Sequence, residues 1–154
     1  MPSKPRLARL VATICAVALV VPAAGCGGDG SDEFRDDYNA AVDKLSKING
    51  DIGSVGADGD DQSNAMIAEK ITNIADTADE ARADLAALEP PEDAQDEFDK
   101  LLAAIETGVA DLRSMAKAAE SNDPEQAQTA AQELAKSGQQ ITAAENALKT
   151  VVDG

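Results

Sequence analysis

The strongest constraint on the fold is a repeated spacing of apolar residues. In four stretches they recur alternately three and four positions apart, which places them along one face of an α-helix. Helices with such faces bury them by packing against one another. The four stripes are, in chain order, Phe34, Tyr38, Ala41, Leu45 and Ile48; Ile67, Ile71, Ile74, Ala78, Ala81, Leu85 and Leu88; Ala94, Phe98, Leu101, Ile105, Gly108, Leu112, Met115 and Ala119; and Ala127, Ala130, Leu134, Ser137, Ile141, Ala144, Leu148 and Val151.

Glycines end the first stretch. The first helix is predicted to begin near Ser31 or Asp32 and to end at Asn49-Gly50. From Gly50 every third residue is a glycine, and glycine lowers helix stability by about 1 kcal/mol relative to alanine. We therefore predict a mobile loop over residues 50–61.

Prolines and capping residues separate the other three stretches. The second helix is predicted to start at Ser63 or Asn64 and to stop at Pro90-Pro91, because the residue before a proline avoids helical angles. Pro91 is then expected in the first turn of the third helix. Asp123 is a favourable N-cap for a fourth helix that begins with Pro124.

These stretches predict an all-α fold. Because two of the three turns are short, consecutive helices should be antiparallel neighbours. The expected architecture is an antiparallel up-down helical bundle over residues 32–154, with either four helices or three helices and a loosely attached first one. Gly108 in the third stripe is expected to permit a close helix crossing, and Glu145 and Lys149 are spaced for an i,i+4 ion pair.

The start of the chain has the layout of a secretory signal. Lys4, Arg6 and Arg9 precede an apolar run over residues 10–21, and Pro22 and small residues follow. The run is shorter than the ~20 residues that span a bilayer. Residues 1–25 are therefore predicted to be a signal peptide that is removed.

The residues Ala23-Ala24-Gly25-Cys26 resemble the lipobox of bacterial lipoproteins, although that family more often has leucine where this chain has Ala23. The resemblance implies cleavage between Gly25 and Cys26 by signal peptidase II and a lipid on the Cys26 thiol, with the amine a further site for acylation. It implies a location on the extracytoplasmic face of the cell membrane. Residues 26–31 would then be the lipidated cysteine and a flexible tether.

Residues 64–152 also resemble the small alanine-rich helical lipoproteins of high-GC Gram-positive bacteria. The resemblance depends on the turn Leu88-Glu89-Pro90-Pro91-Glu92 and on the helix start Asp123-Pro124. It implies a surface-anchored helical domain of unassigned role and supplies no site residues.

Composition excludes several classes of function. The leader contains three of the 13 basic residues and none of the 29 acidic ones, so the cleaved chain has a net charge of −19, which disfavours nucleic acid as a partner. The chain has no histidine, so catalytic triads and histidine metal sites are absent. Of its two cysteines, Cys15 leaves with the leader and only Cys26 remains, so the mature monomer contains no disulfide. We expect no cofactor and no catalytic residue.

One weak metal site remains in the pattern. Five oxygen-bearing side chains occupy positions 1, 3, 5, 7 and 12 of an EF-hand-like frame, but Ser63 stands where the sharp turn needs glycine. A solvated acidic loop is therefore the favoured interpretation. The same holds for carboxylates close in sequence, such as Asp96 and Asp99 or Glu92 and Asp93. The candidate calcium ligands are Asp58, Asp60, Gln62, Asn64 and Glu69.

Two functional hypotheses follow. The first is a lipid-anchored, non-enzymatic protein of the cell envelope whose helical domain acts in interaction or scaffolding, as a monomer or with weak self-association, and with an envelope protein as its partner. The alternative is a lipoprotein that binds a small apolar ligand between its helices. A large buried apolar pocket with a few polar groups would favour the alternative. A solid core with an exposed apolar patch would favour interaction.

Overall fold

The computed structural model describes residues 31–57 and 63–153, which form four α-helices. These are α1 (Ser31–Ala57), α2 (Asn64–Ala86), α3 (Gln95–Glu120) and α4 (Pro124–Asp153). No strand occurs in these two ranges, so the predicted all-α class is confirmed. The signal peptide, Cys26 and the calcium candidates Asp58, Asp60 and Gln62 lie outside the described residues.

Contacts at the two ends of the bundle establish the up-down topology. At the end that holds the start of α1 and the end of α4, the ring of Phe34 on α1 meets that of Phe98 on α3 edge-on, with centroids 5.7 Å apart. At the opposite end, the Nδ2 of Asn64 at the start of α2 donates to the Oδ1 of Asn122 in the turn between α3 and α4, at 2.6 Å. The helices therefore alternate in direction, as predicted from the turn lengths.

The predicted loop after Gly50 is wrong, because α1 continues to Ala57. Ile52 and Val55 extend the four-three spacing beyond Ile48, and both are buried. Burying two such side chains contributes about 1.5–3 kcal/mol each, which exceeds the ~1 kcal/mol that a glycine costs a helix. The connection to α2 is consequently shorter than residues 50–61.

The predicted role of Pro91 is also wrong. Helix α2 ends at Ala86, and the following segment carries both prolines before α3 starts at Gln95. The N–H of Ala94 donates to the carbonyl of Pro91 at 2.9 Å, which closes a single separate turn ahead of α3. Both prolines therefore lie in a short segment between α2 and α3, and neither belongs to a helix.

The predicted cap at Asp123 is confirmed, and the structure shows a second cap at Ser63. The Oδ1 of Asp123 accepts hydrogen bonds from the N–H groups of Glu125 and Gln126, both at 3.0 Å, at the start of α4. At the start of α2, the Oγ of Ser63 accepts from the N–H of Met66 at 3.3 Å. These oxygens satisfy donors that have no partner within their own helices.

Helix α3 lies at the centre of the core. It packs closely against both α2 and α4, whereas α1 packs mainly on α2. The predicted α3 stripe is buried throughout, with Leu101 fully inaccessible. On α4 the stripe is less covered, since Ile141, Ala144 and Val151 are only half-buried. Of these three residues, Ile141 lines the space where α1 and α4 stand apart.

Candidate ligand-binding groove

A groove of about 510 Å³ runs between α1 and α4, with α3 as its floor. Apolar side chains supply most of the lining, and the polar ones lie on the two walls. The apolar and glycine lining is Val42, Leu45, Ile48, Ile52, Ile105, Gly108, Leu112, Leu134, Ala135, Gly138, Ile141 and Ala143, and the polar lining is Ser46, Asn49, Ser137, Gln139, Thr142, Glu145 and Asn146.

The groove stays open because of how the outer helices are supported. Helix α1 packs against α2, and α4 packs against α3, so few backbone positions of α1 and α4 come close together. Several α4 residues that line the groove are small, among them Ala135, Gly138 and Ala143. A Cβ added at Gly138 would have nothing within 4 Å. Small side chains on one wall therefore leave space that larger ones would fill.

Gly108 sets the depth of the floor. A Cβ at this position would lie 3.3 Å from the Cδ1 of Ile141 and 3.7 Å from the Oγ of Ser137. The absence of a side chain lets α4 approach α3 closely, as expected from the sequence. The Oγ of Ser137 is buried but donates to the carbonyl of Leu134 at 3.0 Å, so this polar group is satisfied.

Among the described residues that line the groove, only Glu145 has an ionisable side chain. It is half-buried, and burial raises the pKa of its carboxyl group. Within residues 31–57 and 63–153 it makes no ion pair, and the predicted pairing with Lys149 is wrong because Glu145 lines the groove while Lys149 is exposed. A half-buried carboxylate without a cation is unfavourable in its charged form.

Tyr38 on α1 lies close enough to Glu145 for the carboxylate charge to affect its phenol. Burial, and secondarily the charge of Glu145, raise the pKa of the Tyr38 phenol. Its ring stacks on that of Phe34, with centroids 5.8 Å apart. The Tyr38 phenol remains neutral in the folded protein and supplies no cation that could pair with the Glu145 carboxylate.

Beyond the groove, contacts of Arg35 join the first turns of α1 to the end of α4. The Nη2 of Arg35 on α1 donates to the carbonyl of Val152 on α4 at 3.0 Å and lies 3.4 Å from a carboxylate oxygen of Asp153. These contacts tie α1 to the end of α4 beyond Tyr38 and Glu145. The carboxylate therefore lies toward the tied end of an apolar groove.

The sequence-predicted metal site gains no support from the described residues. Asn64 is engaged with Asn122, and Glu69 is exposed. Across residues 31–57 and 63–153, acidic side chains nowhere gather in a group of three that could hold a metal ion. Asp99 accepts a hydrogen bond from Gln95 on the exposed face of α3, in keeping with a solvated charged face. None of the helices in those two ranges is apolar over a length that could cross a bilayer.

The sequence suggested a ligand site between helices as an alternative, but it did not indicate where the groove lies or that Glu145 lines it. The spacing of Ile52 and Val55 after Ile48 could have indicated that α1 continues past its glycines, and hence that one wall is long. No sequence signal shows that α1 and α4 stand apart, since that depends on how each helix packs on its neighbour.

Comparison of the chain with protein-family models, with curated protein sequences and with solved structures finds no match. Any role of the groove residues is therefore inferred from their geometry and chemistry alone.

Proposed function

We propose that this chain is a lipid-anchored protein of the extracytoplasmic membrane face whose helical domain binds a small apolar ligand in the groove between α1 and α4. The groove is the observation that carries the proposal. Its volume falls within the ~300–1,000 Å³ typical of small-molecule sites, and such sites are mostly apolar with a few placed polar groups.

The surface supports this hypothesis over a scaffolding role. Among the described residues Met66 is the only large hydrophobic side chain that is exposed, at 52 %. Protein-docking faces usually present a contiguous apolar patch. The groove, in contrast, presents a concave surface that is mostly apolar.

Membrane attachment is supported by the sequence pattern that ends in Cys26. Two or more acyl chains hold a protein stably on a bilayer, whereas one holds it marginally. In the producing cells, the wild type should fractionate with membranes and incorporate a palmitate analogue. Cys26→Ala should do neither, and a Cys26→Ala protein that still labels would contradict this part of the proposal.

Ligand binding is tested with a photoactivatable probe, a diazirine-bearing dodecanol, on the mature acylated protein in phosphatidylcholine vesicles. Peptide mapping by mass spectrometry separates labelling of the groove from partition into lipid. We expect labelled residues on the facing walls of α1 and α4.

The variant Gly138→Leu places a side chain into the groove, where the added Cβ meets nothing within 4 Å. It should reduce groove labelling several-fold. Gly53→Leu is the matched control, because Gly53 also has open space around it but lies outside the groove. Equal labelling of the wild type and Gly138→Leu would contradict ligand binding at this site.

A further inference from the structure

We propose that the ligand is an amphiphile with a cationic head, an alkylamine or alkylammonium, whose charge pairs with Glu145 while its tail lies along the groove. This inference rests on the proposed function and specifies the ligand class of the same site.

The first step is the position of Glu145. It lines the groove from α4, near the end where Arg35 ties α1 to Val152. The floor and most of both walls beyond it are apolar. The groove thus presents one charge near its tied end and a mostly apolar surface along the remainder, which matches the polarity of a single-headed amphiphile.

The second step is the missing counter-charge. Other described acids pair with basic side chains at the surface, such as Asp84 with Lys44, where both side chains are exposed. Glu145 is less exposed than Asp84 yet pairs with no cation in the described part of the chain. A carboxylate that is partly removed from water is unfavourable unless it is paired, so a cation that enters with the ligand offsets this cost.

The third step excludes the opposite head group. The chain carries 29 acidic against 13 basic residues, and its field repels anions. A fatty-acid carboxylate placed beside Glu145 would set two like charges at close range. A neutral alcohol avoids that repulsion but leaves Glu145 without a counter-charge. A cationic head is favoured both by the local carboxylate and by the charge of the whole protein.

The test compares three diazirine-bearing probes with the same alkyl chain and an amine, an alcohol or a carboxylate head, on the acylated protein in phosphatidylcholine vesicles. We expect groove labelling to decrease from amine to alcohol to carboxylate. In Glu145→Gln, amine labelling should fall about tenfold, which corresponds to ~1.4 kcal/mol of charge pairing, while alcohol labelling is unchanged or increased. The circular dichroism and the melting temperature of this variant report whether it folds as the wild type does.

The matched control is Glu106→Gln, which removes the same charge from an exposed position on α3 outside the groove. Its amine labelling should equal that of the wild type. An equal loss in Glu106→Gln and Glu145→Gln would overturn the inference, because the preference would then come from the overall charge. Equal labelling by amine and alcohol in the wild type would also overturn it but leave ligand binding intact. If neither probe labels the groove, the proposed function itself fails.

Discussion

Helices α1 and α3 carry the same four-three spacing of apolar residues but are buried to different degrees. The α3 stripe is covered by α2 on one side and α4 on the other, whereas α1 is covered mainly by α2 and borders the open groove. Leu101 on α3 is fully inaccessible, while Leu45 on α1 is half-buried. The comparison teaches that periodicity selects which face of a helix is apolar, and that the number of packed neighbours decides how much of this face is removed from water.

The largest effects are expected from truncating one core side chain on α3 and one on α1. Leu101→Ala on α3 should lower the free energy of unfolding by about 3–5 kcal/mol, because the cavity it leaves is enclosed. Ile52→Ala on α1 should cost about 2 kcal/mol, since this side chain already borders the groove. Denaturant unfolding measures both, and equal losses would contradict the difference between the helices.

Replacing helical glycines by alanine should in some cases raise the stability of the protein. A Cβ at Gly50 or Gly53 on α1 meets nothing within 4 Å, so the double variant Gly50→Ala/Gly53→Ala should gain up to about 2 kcal/mol from helix propensity. Gly108→Ala on α3 should gain less or lose stability, because Ile141 must move away from the new methyl group. Thermal melts of the two proteins decide the point, and a larger gain in Gly108→Ala would show that the floor of the groove is not tightly packed.

The two capped helix starts should differ in strength. Asp123 accepts two backbone hydrogen bonds at 3.0 Å, so Asp123→Ala should lower the stability by about 1 kcal/mol. Ser63, beside the connection from α1, accepts one bond at 3.3 Å, and Ser63→Ala should cost less. Urea unfolding of the pair checks the order. A larger loss in Ser63→Ala would mean that the α1 side of the bundle is the more tightly held.

The pH dependence of stability tests the environment of Glu145. Its raised pKa means that the folded protein holds this proton to higher pH than the unfolded chain does, so stability falls as the pH rises between the two pKa values. Glu145→Gln should therefore be more stable than the wild type at neutral pH. The difference should disappear below the ordinary glutamate pKa of about 4.3. Unfolding midpoints of both proteins across this range measure the effect, and parallel curves would place Glu145 in water.

The smallest effects are expected from exposed ion pairs. Arg113 on α3 lies 3.1 Å from Asp79 on α2, and Lys44 on α1 pairs with Asp84 on the same neighbour. The Arg113 and Arg82 guanidinium groups hold the pKa of Asp79 below its usual value. Exposed pairs contribute little to stability, so Arg113→Ala and Lys44→Ala should both unfold nearly as the wild type. A clear loss in Lys44→Ala alone would show that α1 depends on this contact.

The sequence by itself determined the helical class, the faces that would be buried, the antiparallel order and the cap at Asp123. Each of these depends on residues close together in the chain. It also contained the apolar spacing at Ile52 and Val55 that extends α1, but the glycines beside them favour a loop. The outcome there depended on burial against α2, which is a tertiary contact.

Only the tertiary structure decided that α1 and α4 stand apart and that Gly108 deepens the floor between them. It also decided that Glu145 lines the groove and does not pair with Lys149. The physical reason is that spacing along one helix defines a direction for each side chain, whereas the distance between two helices depends on the side chains of every neighbour that supports them. The groove, and with it the proposed ligand, is a product of that packing.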